Sequence, residues 1–352
     1  MTDPALTPEF ARQARLAGLL YLLIIVAGLG AELDQALLPQ PSIAATLLFA
    51  PVWLVQSANF FSVFHLSKGK TMRRILFITT AVLFAMPLGA SAEEGTFLSD
   101  GVALHYTDEG TGPAVVLLHA FAGTSALWRS NGLLPLDGFR TLAFDARGHG
   151  DSAKPIDPDA YGAELVDDVI RLMDARGIEK AHIVGYSMGA ETALKLATEH
   201  PERLLSLVIA GSGWSGETEA QVYGSVSDAL GSGETFGDFM AAMPAGDMTE
   251  EQQMSAFAML MSHGISPEQA AAPLAATAAS MGELIHLGAD ELAAIPFSVL
   301  GLAGEADEER GNVERLSGAI SDFTYVMIPE ADHLSTPLTP MFTEAVTGFL
   351  RN

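Results

Sequence analysis

Three side chains spread far apart along this sequence could together carry out nucleophilic attack on a carbonyl: a serine, a histidine and a carboxylate. The serine is Ser187, inside 185-GYSMG-189, where the apolar run 181-AHIVGY-186 gives way to the amphipathic stretch 188-MGAETALKLATEH-200. A G-x-S-x-G between a strand and a helix lifts the serine onto a sharp turn, and bulky flanks would clash there, so Gly185 and Gly189 supply the room. The same turn puts the backbone N–H of Met188 at a helix N-terminus, facing a developing oxyanion. A hydroxyl is a poor nucleophile until a base takes its proton, so a histidine is required.

Nine histidines are available. His333, in 329-PEADHLSTP-337, follows the last apolar run and precedes the last amphipathic stretch. In a parallel sheet that loop shares a rim with Ser187. His65 lies in the apolar N-terminal part, His105, His182 and His200 on or beside elements facing elsewhere, and His263 and His286 in an insertion. The group that orients the imidazole must come from the same rim. Asp307, in 301-GLAGEADEE-309, is so placed; Glu305, Glu308 and Glu309 compete nearby, and Asp332 adjoins His333 but turns onto its ring only with difficulty. In so acidic a chain, each of these is also readable as a solvated charge.

The elements that must position these groups alternate. Apolar runs at 114–120, 139–145, 181–186, 204–210, 297–303 and 323–329 read as buried strands, and 161–177, 188–200 and 340–351 as amphipathic helices. Near-continuous apolar strands alternating with helices predict an α/β fold, a mostly parallel sheet covered on both faces. Two further runs, 96–100 and 102–108, are expected to pair antiparallel at its edge, giving eight strands. Between Ala210 and Phe297 lies a stretch without a strand pattern, free of Lys and Arg from Leu204 to Glu309; it reads as a helical lid at about 213–295. It also holds Met240, Met243, Met248, Met254, Met259, Met261 and Met281, whose flexible side chains suit either a tolerant pocket or simple packing of lid helices. The segment 211-GSGWSG-216 mimics a dinucleotide loop, but no second strand and acid follow at the required spacing, so it reads as a hinge.

Composition narrows the partners. The chain has 352 residues, 43 acidic and 18 basic, for a net charge of −25, and no cysteine. That balance argues against nucleic acid, and the lack of thiols excludes disulfides, a cysteine nucleophile and Cys-ligated metals. No metal or nucleotide motif occurs, so neither a cofactor nor a metal is expected. A lid without cations disfavours strongly anionic substrates.

The first part differs in character. Residues 1–74 carry a net of +2, leaving −27 for the rest. Apolar runs at 16–31, 43–66 and 75–92 fit membrane helices, the second of 24 residues being long enough to cross a bilayer. The third, with Met72-Arg73-Arg74 ahead and Ala90-Ser91-Ala92 behind, also has the layout of a secretory signal peptide. The expected division is a hydrophobic membrane segment at 1–71 (a fusion or a mis-called start in one reading), a signal-like or transmembrane helix at 72–92, and a catalytic domain at 93–352. Flanking cations place that domain outside the cytoplasm, membrane-anchored or, if processed after Ala92, periplasmic or secreted.

The order Ser187, Asp307, His333, together with 117-LLHAFAG-123 and 145-DARGHGDS-152, resembles the α/β-hydrolase family from about residue 97 onward, in the branch of esterases and haloperoxidase-like enzymes. The resemblance implies that Phe121, after the His119-Ala120 pair, donates the second oxyanion N–H, with Ala120 standing where the family has glycine. It also implies that DARGHGDS is mainly a structural turn, and Ser187 argues against the aspartate-dependent epoxide hydrolases and dehalogenases. Separately, 15-RLAGLLYLLIIVAGLGAEL-33 resembles the opening helix of an uncharacterised family of small bacterial multi-helix membrane proteins.

The expected activity is that of a serine hydrolase acting on an ester or related acyl bond of a neutral or cationic small molecule, through an acyl-enzyme. Ser187 is the nucleophile, His333 the base and Asp307 its partner. The alternatives are a carbon–carbon bond hydrolase or perhydrolase, or a non-catalytic ligand receptor on the same scaffold.

Overall fold

The computed structural model describes residues 92–214, 217–242 and 258–352. The apolar runs at 16–31, 43–66 and, save for Ala92, 75–92 lie outside those residues, as do Met243, Met248 and Met254. Among the described residues no helix is long and apolar enough to cross a membrane.

Eight strands form one sheet: β1 (Glu93–Ser99), β2 (Val102–Gly110), β3 (Ala114–Leu118), β4 (Arg140–Phe144), β5 (Ala181–Tyr186), β6 (Leu204–Ala210), β7 (Val299–Gly304) and β8 (Phe323–Ile328). Their spatial order is β1-β2-β4-β3-β5-β6-β7-β8. β2 runs antiparallel to both β1 and β4, and every other pairing is parallel. The two antiparallel strands lie at one edge, joined by the tight turn at Asp100-Gly101, both with positive φ.

Strand periodicity divides the core. Val116 and Leu118 of β3 face one layer with Ile183 and Leu207, while Val115 and Leu117 face the other with Val184 and Val208. Side chains two apart share a face, so a run that is apolar at every position needs cover on both sides. The first layer is covered by α1 (Ala163–Ala175), through Leu165, Val169 and Leu172, and by α2 (Met188–Glu199), through Ala190, Leu194 and Ala197. The second is covered by Trp128 and by Phe342, Val346 and Leu350 of the final helix (Pro340–Leu350).

Between β6 and β7 the regular elements among the described residues are helices, with one isolated bridge, Thr235 with Ala270. They include α3 (Glu217–Leu230), α4 (Phe236–Ala242) and α5 (Ala271–Leu284). A satellite cluster of Leu230, Phe236, Ile265, Ala271 and Leu274 closes over Ala122 of the loop after β3. Met281 is fully buried in the core and Met261 is half exposed, as packing and surface residues are.

Arg147 explains why DARGHGDS is structural. It is 2 % exposed and grips Asp168 of α1 through two bonds, Nε to Oδ2 at 2.7 Å and an Nη to Oδ1 at 2.6 Å. Asp145 closes the other end of the turn, accepting the N–H of Ser125 at 2.8 Å and of Asp151 at 2.8 Å.

Candidate active site

The turn after β5 is strained at the serine. Ser187 has φ 54° and ψ −121°, a left-handed backbone for a non-glycine residue that persists only where its surroundings enforce it. Two glycines permit the approach: a Cβ on Gly185 would lie 2.3 Å from the Gly189 carbonyl, and one on Gly189 would lie 2.2 Å from the Leu118 carbonyl. The N–H of Ser187 donates to the Ala210 carbonyl at 2.8 Å, tying the turn to the end of β6.

Ser187 Oγ lies 3.0 Å from His333 Nε2, and His333 Nδ1 lies 3.0 Å from Asp307 Oδ1. Each comes from a loop at the C-terminal end of a parallel strand: β5, β8 and β7 respectively. Asp307 is buried, and Oδ1 also accepts the Glu309 N–H at 2.9 Å while Oδ2 has no partner. Two of the competing acids are engaged elsewhere. Asp332 accepts from the Ser335 N–H at 2.8 Å and hydroxyl at 2.6 Å, and Glu305 accepts the Glu330 N–H at 3.1 Å. Burial works to lower the pKa of His333. The hydrogen bond and charge of Asp307, with Glu309 and Glu191 behind, outweigh it and hold the imidazole above its ordinary value. Tyr186 steadies the loop by donating its hydroxyl to the His333 carbonyl.

His119 organises the loop of Phe121. Its Nδ1–H donates to the Ala120 carbonyl at 2.8 Å and its Nε2 accepts the Ala146 N–H at 2.9 Å, a pattern that neutral imidazole satisfies and imidazolium does not. Burial lowers its pKa to suit. The left-handed residue of that loop is Ala122, at φ 58°, and Ala120 is not among the positive-φ residues, so the position where the family has glycine needs none for its φ. His149 is fully buried, and burial brings its pKa down to about 3.

Ser187 and His333 open into a cavity of about 370 Å³. One side is apolar, formed by Val226, Phe236, Phe239, Leu260 and Ile265; Glu308 and Glu309 border it, and among the described residues no Lys, Arg or Met does. His263 lines it too, buried, its Nε2 2.9 Å from the Leu334 carbonyl. The histidine that the sequence places in the insertion, His263, thus lines the cavity, while Glu191, an acid three residues before Leu194 on a buried helix face, was missed by sequence reasoning.

Among the described residues one group has the spacing of metal ligands: His105, Asp145 and Asp151, with candidate atoms within 4.8 Å of one another. It borders a different cavity of about 410 Å³ that shares no residue with the first. Both Asp145 oxygens already hold backbone N–H groups, and His105 Nε2 lies 2.9 Å from Glu94.

Residues 113–243 match the alpha/beta hydrolase fold family. The domain has the alpha/beta hydrolase fold. A solved hydrolase from Pseudomonas aeruginosa PA01 superimposes with a TM-score of 0.62 at 27 % identity, over 74 % of this chain and 99 % of that one. Epoxide hydrolase 3 of Siraitia grosvenorii is 38 % identical over 118 residues, 33 % of this chain and 37 % of its own length. A 2-hydroxy-6-oxo-6-phenylhexa-2,4-dienoate hydrolase of Comamonas testosteroni is 38 % identical over 117 residues, 32 % of this chain and 41 % of its own. The matched part thus spans about two-fifths of these curated relatives. In this hydrolase-fold domain the insertion between β6 and β7 supplies Val226, Phe236, Phe239, Leu260 and Ile265 to the cavity wall.

Proposed function

We propose that the domain is a serine hydrolase that cleaves an ester or related acyl bond of a neutral or cationic small molecule. The observation that carries the reading is the unbroken relay from Ser187 Oγ to His333 Nε2 at 3.0 Å and from His333 Nδ1 to Asp307 Oδ1 at 3.0 Å. Ser187 attacks the carbonyl carbon while His333 takes its proton at Nε2. Asp307 holds the Nδ1–H tautomer and stabilises the imidazolium. The negative charge arising on the carbonyl oxygen is met by the N–H groups of Met188 and Phe121; removing one such donor typically costs about 3 kcal/mol. His333 then returns the proton to the leaving group, and water repeats the sequence on the acyl-enzyme.

The hydrolase names of the relatives support hydrolysis, and Ser187 separates this chain from the aspartate-dependent chemistry expected of epoxide hydrolases. The apolar wall suits an acyl arm, and the absence of Lys and Arg from the lining among the described residues argues against an anionic one. A fluorophosphonate should label Ser187 alone, and Ser187→Ala should abolish turnover of a short aryl ester while leaving the melting curve in place. Labelling elsewhere, or retained turnover, overturns the assignment.

The charge pattern of the first 92 residues supports an extracytoplasmic position for the domain. Intact-mass analysis of native protein tests the processed form, which requires a mature N-terminus at Glu93.

A further inference from the structure

A buried acid without a cation sits one helical turn beyond Ser187. Glu191, in α2, is 2 % exposed. Its carboxyl is met from two sides: Ser212 Oγ donates to Oε1 at 2.9 Å, and the Tyr223 hydroxyl donates to Oε2 at 2.8 Å. Ser212 lies just past the end of β6, and Tyr223 lies in the middle of α3, the first lid helix. The chain has no Lys or Arg between Arg203 and Arg310, so the insertion brings this carboxyl no counterion.

A carboxyl in such a place is costly unless its oxygens are bonded. Burial pushes Glu191 up to about 7, with Glu309 adding to the rise; the hydroxyls of Tyr223 and Ser212, and the charge of His333, pull the other way. Hydroxyls can donate to a carboxylate or accept from an acid O–H, so the bridge persists in either protonation state.

The bridge bears on the pocket through Tyr223, which lines the same cavity as Ser187 and His333. The ring of Tyr223 meets that of Phe121 edge-on, 6.4 Å between centroids at 71°. Phe121 in turn rests on His149 at 5.8 Å. A continuous path therefore runs from the helix that begins at the nucleophile, through the lid, to the residue assigned the second oxyanion N–H.

We propose that Glu191 is a positioning residue for the acyl pocket: its carboxyl, bridging Ser212 and Tyr223, fixes the first lid helix and the Phe121 wall over Ser187. The proposal deepens the serine-hydrolase reading and rests on it for its kinetic readout. A purely structural Glu191 would instead lower stability and depress turnover of every substrate alike.

The test uses the full chain with Glu191→Ala, Glu191→Gln and Tyr223→Phe. Amide hydrogen exchange of residues 217–230 should rise by about tenfold in Glu191→Ala and Tyr223→Phe, the equivalent of one lost hydrogen bond. The KM for p-nitrophenyl hexanoate relative to the acetate should rise by about fivefold, because the acyl wall shifts while the relay stays in place. Glu191→Gln, which keeps one acceptor oxygen and offers an amide to the other hydroxyl, should restore most of both effects. Unchanged exchange in 217–230, or an unchanged hexanoate-to-acetate ratio with all parameters falling together, overturns the proposal. Tyr223→Phe removes a single oxygen and keeps the test open should Glu191→Ala not fold. If the wild type turns over neither ester and Ser187 resists the phosphonate, the hydrolase reading fails separately, and the exchange result still decides the bridge.

Discussion

Replacing Asp307 with asparagine tests the relay at its least redundant point. Asp307 Oδ1 accepts two donors, the Glu309 N–H at 2.9 Å and His333 Nδ1–H at 3.0 Å, while Oδ2 is buried with no partner. An asparagine of the same shape has two orientations, and both are poor. With its oxygen in the Oδ1 position it keeps both bonds but buries its NH2 without an acceptor, a penalty of about 1–3 kcal/mol. With its nitrogen there it confronts the Glu309 N–H and asks His333 Nδ1 to accept, which puts the ring proton on Nε2, where it cannot take the proton of Ser187. Either way the charge that stabilises the imidazolium is gone. From the known behaviour of such relays the loss in kcat should be about 10³–10⁴-fold, or about 4–5.5 kcal/mol. KM should change little, because Asp307 is not among the residues lining the cavity. The assay is steady-state hydrolysis of a short aryl ester from pH 5 to 9. Residual activity above a tenth of wild type, with the acid limb unmoved, would refute the reasoning and turn attention to Glu309, which together with Glu191 also bears on the charge of His333.

Other outcomes follow from the same contacts. Asp168→Ala takes from the 2 %-exposed Arg147 the acid that holds it through two bonds, leaving Glu164 at 3.1 Å, and should cost about 3 kcal/mol of stability, read from urea denaturation. The pKa of His333 is raised, and the relay needs it neutral. The acid limb of kcat/KM should therefore lie above the ordinary histidine value of about 6.5; activity is full above that limb and lost as pH falls through it. A limb below that value contradicts the part given to Asp307.

The strands were legible because burial on both faces leaves little choice of residue: 114-AVVLL-118 and 204-LLSLVIA-210 carry at most one hydroxyl between apolar side chains. Their ends were less so. β1 begins at Glu93, three residues before the apolar run, because its first positions are exposed edge residues, and an edge position takes polar side chains freely. The elbow was legible for a steric reason, since both flanking glycines face backbone at under 3 Å. Asp307 was singled out from its acidic neighbours by its place after β7, but its contact with His333 depends on the local turn in which its carboxyl caps the Glu309 N–H. Glu191 was hidden because its partners, Ser212 and Tyr223, are brought to it only by the path of the chain after β6. The cavity wall was hidden too: valine, phenylalanine, leucine and isoleucine form it where the composition drew attention to methionine.

β6 and β7 are hydrogen-bonded neighbours although 88 residues separate Ala210 from Val299. Gly211 donates to the Leu302 carbonyl at 3.0 Å, and Leu207 to the Ser298 carbonyl at 3.2 Å. The whole excursion thus leaves the scaffold and rejoins it at adjacent points of one ladder, as a loop of any length can. Natural drift or a designer can exchange that excursion for another and so change which molecules are admitted, while the strands bearing Ser187, Asp307 and His333 keep their registry.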